Sequence, residues 1–217
     1  MQYQVIVEHT SGMGVERFGL RASESWYQDP KHLVFRLSRY KFVAKMLSGR
    51  QSVLEVGCGD AFGSRIVQQE VGKYTAIDFD PVFIEDVNSR MVEKWKFDCF
   101  VHDMLDGPVP GEYDAVFALD VLEHIEPAQE RLFLANSFAP LGPHGVGILG
   151  LPSLESQPYA SPQSKLGHIN CKSAPDLKKL MLEYFHTVFI FSMNDEVVHT
   201  GFHKMANYVW AIGTGKR

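Results

Sequence analysis

Between Ser52 and Leu151 the sequence alternates short β-prone runs with helical ones, and this alternation constrains the fold more than any other feature. The pattern reads strand 52–57, helix 62–70, strand 74–78, helix 81–92, strand 97–101, strand 114–119, helix 127–138 and strand 145–151. Helices inserted between strands are the connections that a parallel sheet requires. The run "SAPDLKKLMLEYF" carries a capping signature, Ser173 followed by Asp176, and predicts one more helix. Two β-rich runs then close the chain, "TVFIFSM" and "MANYVWAIG", most simply paired as an antiparallel hairpin. The expected fold is therefore α/β: a doubly wound, mostly parallel, seven-stranded, Rossmann-like sheet with a C-terminal antiparallel hairpin.

A chain of 217 residues buries one sizeable core, so a single domain with an N-terminal addition is expected. Residues 1–28 show no clear periodicity and read as an arm or lid containing Phe18, Trp26 and Tyr27. A helix starts at Asp29-Pro30, with Asp as cap and Pro at the first helical position. Leu33, Leu37, Tyr40, Ala44 and Leu47 form its apolar stripe. Arg36, Arg39 and Lys45 fall elsewhere on the wheel and read as a solvated face, with contact to a substrate phosphate as the alternative. Residues 1–49 are thus expected to form part of the substrate cover, and residues 50–217 the ligand-binding domain.

A formal net charge of −5 and no basic stripe argue against nucleic acid as the partner. Cys58, Cys99 and Cys171 lie far apart, which suggests neither a disulfide framework nor a thiolate zinc site. The first residues lack the pattern of an export signal, and no apolar run is long enough to span a bilayer. The expectation is a soluble cytoplasmic protein that acts on a small molecule, with homo-oligomerisation left open.

Chemistry concentrates at the carboxyl ends of the predicted strands. The turn "VGCGDAFGS" lets backbone approach a ligand closely. A dinucleotide site expects G-x-G-x-x-G, whereas Gly57, Gly59 and Gly63 are spaced one residue too widely. Asp60 inside the turn would repel a pyrophosphate and suits an ammonium group or a nearby cation. About 20 residues on, Asp78 ends the second strand, at the place of an acid that binds a ribose diol. Asp103 ends the third strand, and Asp120, Glu123 and His124 follow the fourth in "LDVLEH". Ligands of open α/β sheets bind along this edge.

With these residues in register, residues 50–213 resemble the class I S-adenosylmethionine-dependent methyltransferases. The resemblance implies that Glu55, Gly57, Cys58 and Gly59, with Ala61 or a displaced Gly63 at the third glycine position, wrap the methionine moiety of S-adenosyl-L-methionine. It further implies that Asp78 takes the ribose hydroxyls, that Phe79 lies against adenine, and that Asp103 with Met104 holds the adenine edge. Asp120 would face the sulfonium side. The flanks "FGLRASESW" and "VHTGFHKMANY" are similar to methyltransferases associated with surface-polysaccharide biosynthesis, which implies O-methylation of a sugar or nucleotide-sugar precursor.

Methyl transfer to a hydroxyl needs a base near the fourth strand, for which His124 and then His168 in "KLGHIN" are the candidates. Asp120, Glu123, His124 and His168 together also offer an O/N ligand set for a divalent metal. This set resembles the E-x-x-E-H and distant His of small-RNA 3′-end methyltransferases and, in part, of ubiquinone-pathway O-methyltransferases, with Asp in place of the first Glu. The loop 152–172, with Tyr159, is long enough to close over an acceptor. The rival readings are a metal-assisted enzyme acting on a phenol or RNA end, a nicotinamide oxidoreductase, and a non-catalytic adenosyl-ligand-binding protein.

Overall fold

The computed structural model describes residues 3–217. Two helices occupy the N-terminal stretch where the sequence shows no period: α1 (Gln4–Met13) and α2 (Leu20–Gln28). Helix α1 buries no residue and α2 buries only Ala22, so neither needs the apolar stripe by which a helix is read. Helix α3 (Lys31–Leu47) is the expected amphipathic one, burying Leu33, Tyr40, Val43, Ala44 and Leu47. The Asp29 carboxylate accepts the Lys31 N–H at its start, at 3.3 Å.

The alternating region follows as β1 (Ser52–Val56), α4 (Ser64–Gln68), β2 (Lys73–Asp78), α5 (Pro81–Arg90), β3 (Asp98–Val101), β4 (Tyr113–Leu119), α6 (Glu130–Phe138) and β5 (Leu141–Pro152). The long loop after β5 is partly helical, with a 3-10 segment at Leu154–Tyr159 and α7 (Pro162–Gly167). Helix α8 (Ala174–Met181) has Ser173 as its cap, accepting the Asp176 N–H as the sequence predicts. The chain closes with β6 (Phe185–Asn194), β7 (Val197–His199) and β8 (Tyr208–Lys216).

The sheet order is β3-β2-β1-β4-β5-β8-β6-β7. Strands β1 to β5 pair in parallel, while β8 runs antiparallel between β5 and β6. The sheet has eight strands rather than seven, because three residues of the connection expected to be a loop pair with β6 as β7. A three-residue strand is too short to carry a period-2 signal. The chain moves outward from β1 to β3 and then returns to β4, so the switch point lies between the carboxyl ends of β1 and β4.

Alternate residues of the central strands feed two cores. Val116, Ala118, Leu149 and Leu151 pack with α6 and α8, while Phe117, Leu119, Val146 and Ile148 pack with α3, α4 and α5. Trp210, Phe117 and Leu134 are fully buried, each contributing roughly 1.5–3 kcal/mol by removal from water. Both faces are covered, which fixes the carboxyl-end rim as the place where loops meet.

Candidate active site

The first turn is built from both sides. Gly57 and Cys58 donate their N–H groups to the Ile77 carbonyl at 2.8 and 2.9 Å, and Gly59 donates to the Asp78 carboxylate at 2.8 Å. Left-handed backbone is required at Gly57 (φ +74°), Gly59 (φ +53°) and Ala61 (φ +49°). Ala61, rather than Gly63, therefore occupies the third turning position. Gly63 has ordinary φ and serves a different need: a Cβ there would lie 2.2 Å from the Tyr40 ring.

Two residues expected to contact the ligand have buried side chains. Glu55 is 1% exposed, and its carboxyl accepts hydroxyls from Ser64 and Tyr74 at 2.5 Å and Tyr40 at 2.7 Å. Burial pushes its pKa up to about 7, against the lowering effect of those three hydroxyls. Glu55 faces α3 and α4, because alternation along β1 sends it away from the side of Leu54 and Val56. The Cys58 side chain is also buried, so that only its backbone is left to meet a ligand.

Asp60 does not present a free carboxylate to an ammonium group. It is 1% exposed and accepts the Ala22 N–H at 2.7 Å, satisfying the first turn of α2, and Arg36 lies 3.6 Å away. Gly19 makes the approach feasible, since a Cβ there would fall 2.4 Å from Asp60. Phe18 packs edge-on against Phe62, 5.0 Å between centroids. The N-terminal arm is thus docked on the glycine turn.

The two arginines of α3 depart from the solvated face expected of them. Arg36 reaches Asp60, and Arg39 Nη1 donates to both Asp120 oxygens at 2.8 and 2.7 Å. Its guanidinium lies 3.9 Å over the Tyr208 ring. Burial opposes the Arg39 charge, but Asp120 and Tyr208 outweigh it and raise the pKa. Asp120 itself has φ +57°, a left-handed conformation uncommon outside glycine, at the carboxyl end of β4. Lys45 alone of the three cations matches the surface reading, paired with Glu70.

Beyond Asp120 a 3-10 turn, Leu122–His124, brings up the remaining groups. Glu123 is wholly buried, neither carboxyl oxygen has a hydrogen-bond partner, and burial followed by the Asp120 charge raises its pKa well above the usual range. Its backbone carbonyl accepts the N–H groups of Ile169 and Asn170, which bends the loop back over it. His124 Nδ1 lies 2.8 Å from the Gly167 carbonyl, and His168 Nδ1 lies 3.0 Å from Gln157 Oε1. Both partners are acceptors, so each Nδ1 carries a proton, and in the neutral ring the lone pair lies on Nε2. Burial, then the His124 ring, lowers the His168 pKa and favours that neutral form. A Cβ on Gly167 would sit 3.3 Å from the His124 ring, a tight approach that the ring or the loop would have to relieve by a small shift.

Glu123, His124 and His168 offer ligand atoms within 4.8 Å of one another. Asp120, expected as a fourth member, is outside this group and is paired with Arg39. The donor set fits a divalent cation: one carboxylate without a partner and two imidazole nitrogens with their tautomers fixed.

On the other side of the switch point, Asp78 is 7% exposed and accepts the Gly59 and Asp80 N–H groups; burial raises its pKa. Phe79 is 70% exposed beside it, a free ring face. Asp103 accepts the Leu105 N–H at 2.8 Å, and the Met104 side chain is buried in the core with its carbonyl held by Asn136. Tyr208, Gln157 and Gly167 escape the sequence reading, which gives Arg39 only a solvated face or a substrate phosphate. The available signal was the placement of Arg36 and Arg39 one turn apart beside the buried Tyr40.

Comparisons with known proteins agree with this geometry. Residues 53–145 match the methyltransferase domain family. The chain is 27% identical over 136 residues to a probable S-adenosylmethionine-dependent methyltransferase of Mycolicibacterium smegmatis, covering 62% of this chain. It spans about half the length of that curated relative, 48%. Among solved structures, the N-methyltransferase NodS of Bradyrhizobium japonicum in complex with S-adenosyl-L-homocysteine superposes with a TM-score of 0.61 at 16% identity, over 88% of this chain and 91% of that one. A Thermotoga maritima methyltransferase, described as a possible histamine N-methyltransferase, gives 0.67 at 17% identity over 91% and 96%. These two likenesses establish the fold. Residues 53–145 thus match a methyltransferase domain family, and the sheet around them has the fold of solved methyltransferases.

Proposed function

We propose that this protein transfers the methyl group of S-adenosyl-L-methionine to a hydroxyl of a small molecule, a sugar or nucleotide-sugar precursor being the leading acceptor. The observation that carries the oxygen acceptor is the pair of Nε2 lone pairs on His124 and His168, fixed by Gly167 and Gln157 beside β4. An amine acceptor has its own lone pair, whereas a hydroxyl gains from a base in the transition state. The saccharide assignment is supported by the flanking resemblance alone.

On this reading Gly57, Cys58 and Gly59 present backbone to the methionine moiety, Asp78 accepts the ribose hydroxyls, and Phe79, Asp103 and Met104 border adenine, Met104 through its backbone. Residues 1–49 serve as cover, through α2 on the glycine turn and α3 above the β4 rim. The acceptor oxygen attacks the sulfonium methyl in line: the new C–O bond forms as the C–S bond breaks, its electron pair returning to sulfur. The hydroxyl proton passes to Nε2 of His124. Orientation of well-held reactants is worth roughly 7–11 kcal/mol, and the base a further factor of about 10²–10⁴.

A metal-assisted variant is favoured by one observation, the buried and unpartnered Glu123 carboxyl facing those imidazoles. Glu123, His124 and His168 would hold the ion, which when bound acidifies and orients a hydroxyl. Release of S-adenosyl-L-homocysteine, measured with nucleotide-sugars and phenols with and without Mg²⁺ or Mn²⁺, tests both forms. His124→Ala is expected to keep cofactor affinity within about twofold and lower turnover about 10²-fold or more. Asp78→Ala is expected to abolish cofactor binding; unchanged affinity would overturn the ribose assignment.

A further inference from the structure

We infer that Glu130, Asn170 and Lys172 are positioning residues for the two histidines, tying the loop that orients them to helix α6; the inference rests on the proposed role of His124 as base. Lys172 Nζ lies 2.5 Å from Glu130 Oε2 and donates to Asn170 Oδ1 at 2.7 Å, while Asn170 Nδ2 donates to the same Glu130 oxygen at 2.9 Å. The three groups close a circuit. It is largely shielded from water, with Asn170 5% exposed and the Lys172 and Glu130 side chains 18% and 15%. An ammonium group only donates, so the amide has to turn its oxygen to Lys172 and its nitrogen to Glu130. Each contact includes a charged partner, the stronger kind of hydrogen bond.

The circuit joins a fixed element to the groups that orient the rings. Glu130 opens α6, which is rooted in the core by Phe133 and Leu134. Asn170 sits on the returning loop, where its N–H and that of Ile169 donate to the Glu123 carbonyl at 3.0 and 2.8 Å, just before His124 in the chain. On the same stretch lies Gly167, whose carbonyl accepts from His124 Nδ1 at 2.8 Å across 43 residues of sequence. Lys172 extends the tie in the other direction. Its carbonyl accepts the Leu154 N–H at 2.9 Å, and Leu154 opens the 3-10 segment that carries Gln157, the partner of His168 Nδ1. Both orienting groups, Gly167 and Gln157, are thus referred to α6 through one circuit. The rings they hold meet edge-on, with centroids 5.4 Å apart. Locking a ring through the hydrogen bonds of its supports is what sets a base in productive geometry.

Ring tautomers can be read without an acceptor, by nitrogen resonance of the full chain carrying ¹⁵N-labelled histidine and saturated with S-adenosyl-L-homocysteine. A pH of about 8.5, above the ordinary imidazole value of about 6.5, keeps the rings neutral. His124 and His168 are expected each to show a single tautomer, protonated at Nδ1, their signals being assigned by their absence from His124→Ala and His168→Ala. Asn170→Asp sets a carboxylate against Glu130 and is expected to turn the His124 signals into an average of both tautomers, with cofactor affinity unchanged. Adding Glu130→Gln restores an amide facing a carboxylate in the reverse sense and leaves Lys172 a negative partner, so the single tautomer is expected to return. Lys172→Met opens the circuit without a new charge and is expected to act as Asn170→Asp does, so the test does not depend on one variant folding. With any nucleotide-sugar or phenol that turns over, kcat is expected to fall about tenfold or more in Asn170→Asp, with KM little changed, and to recover in the double variant. Unchanged histidine signals in both Asn170→Asp and Lys172→Met, or a change that the double exchange fails to reverse, overturn the inference; slowed turnover in His124→Ala then leaves the base reading standing. Full turnover in His124→Ala overturns that reading and the inference with it.

Discussion

Glu55 shows how one buried carboxyl ties local chemistry to stability. Its folded pKa of about 7 lies above the ordinary 4.5, so the folded state holds this proton more tightly than the unfolded chain does. The associated stability is present in full below about pH 4.5 and is lost as pH rises through about 7, a change of roughly 3 kcal/mol. Glu55→Gln is expected to flatten the urea-unfolding free energy across that window; an unchanged pH dependence would contradict the burial argument. Gly63→Ala is expected to cost about 1–3 kcal/mol in the same experiment, because the new methyl meets Tyr40, whose hydroxyl is already tied to Glu55. At this scale the sequence revealed residues whose position follows from where strands end: Asp78, Asp103, Asp120, Glu123 and His124. It did not reveal that Arg39 would find Asp120, since the partners are 81 residues apart and only the packing of α3 brings them together. Nor could it show that Asp60 faces the arm, for the same acid in the same turn would suit a ligand equally well.

Elements were legible where they bury a face. The β1-to-β5 alternation, the α3 stripe and the closing antiparallel strands all carry a hydrophobic period, and all appear within a few residues of their expected bounds. Helices α1 and α2 carry none, having almost nothing buried, and β7 is too short to show one. The docking of α2 depends on the Asp60–Ala22 bond and the Phe18–Phe62 contact. Asp60→Ala leaves the Ala22 N–H without its acceptor, so limited proteolysis within residues 14–28 is expected to accelerate several-fold while the core fragment survives. A cleavage rate equal to that of the unsubstituted protein would show that the arm is held by something else. Gly167→Ala tests the other covering loop: displacement of the segment against His124 is expected to reduce turnover more than cofactor affinity.

The whole molecule places two groups of residues on either side of one switch point. The β1 and β2 ends present the glycine turn and Asp78, while the β4 end presents Asp120, Glu123 and His124, joined from the far loop by His168. Among the described residues no helix is long and apolar enough to cross a membrane. The parallel core was readable because helices must separate parallel strands, and the rim because ligands of such sheets gather there. The acceptor was not readable, since on the proposed reading it meets α2 and the loop after β5, which bury too little to carry a hydrophobic period. The central claim is that the glycine turn and Asp78 form an adenosyl-methionine site rather than a dinucleotide site. Calorimetric titration of the purified protein with S-adenosyl-L-methionine, S-adenosyl-L-homocysteine and NAD tests it most directly. Saturable binding of the two adenosyl ligands at one site, with none for NAD, is the result this account predicts; preference for NAD, or no binding by a folded sample, would contradict it.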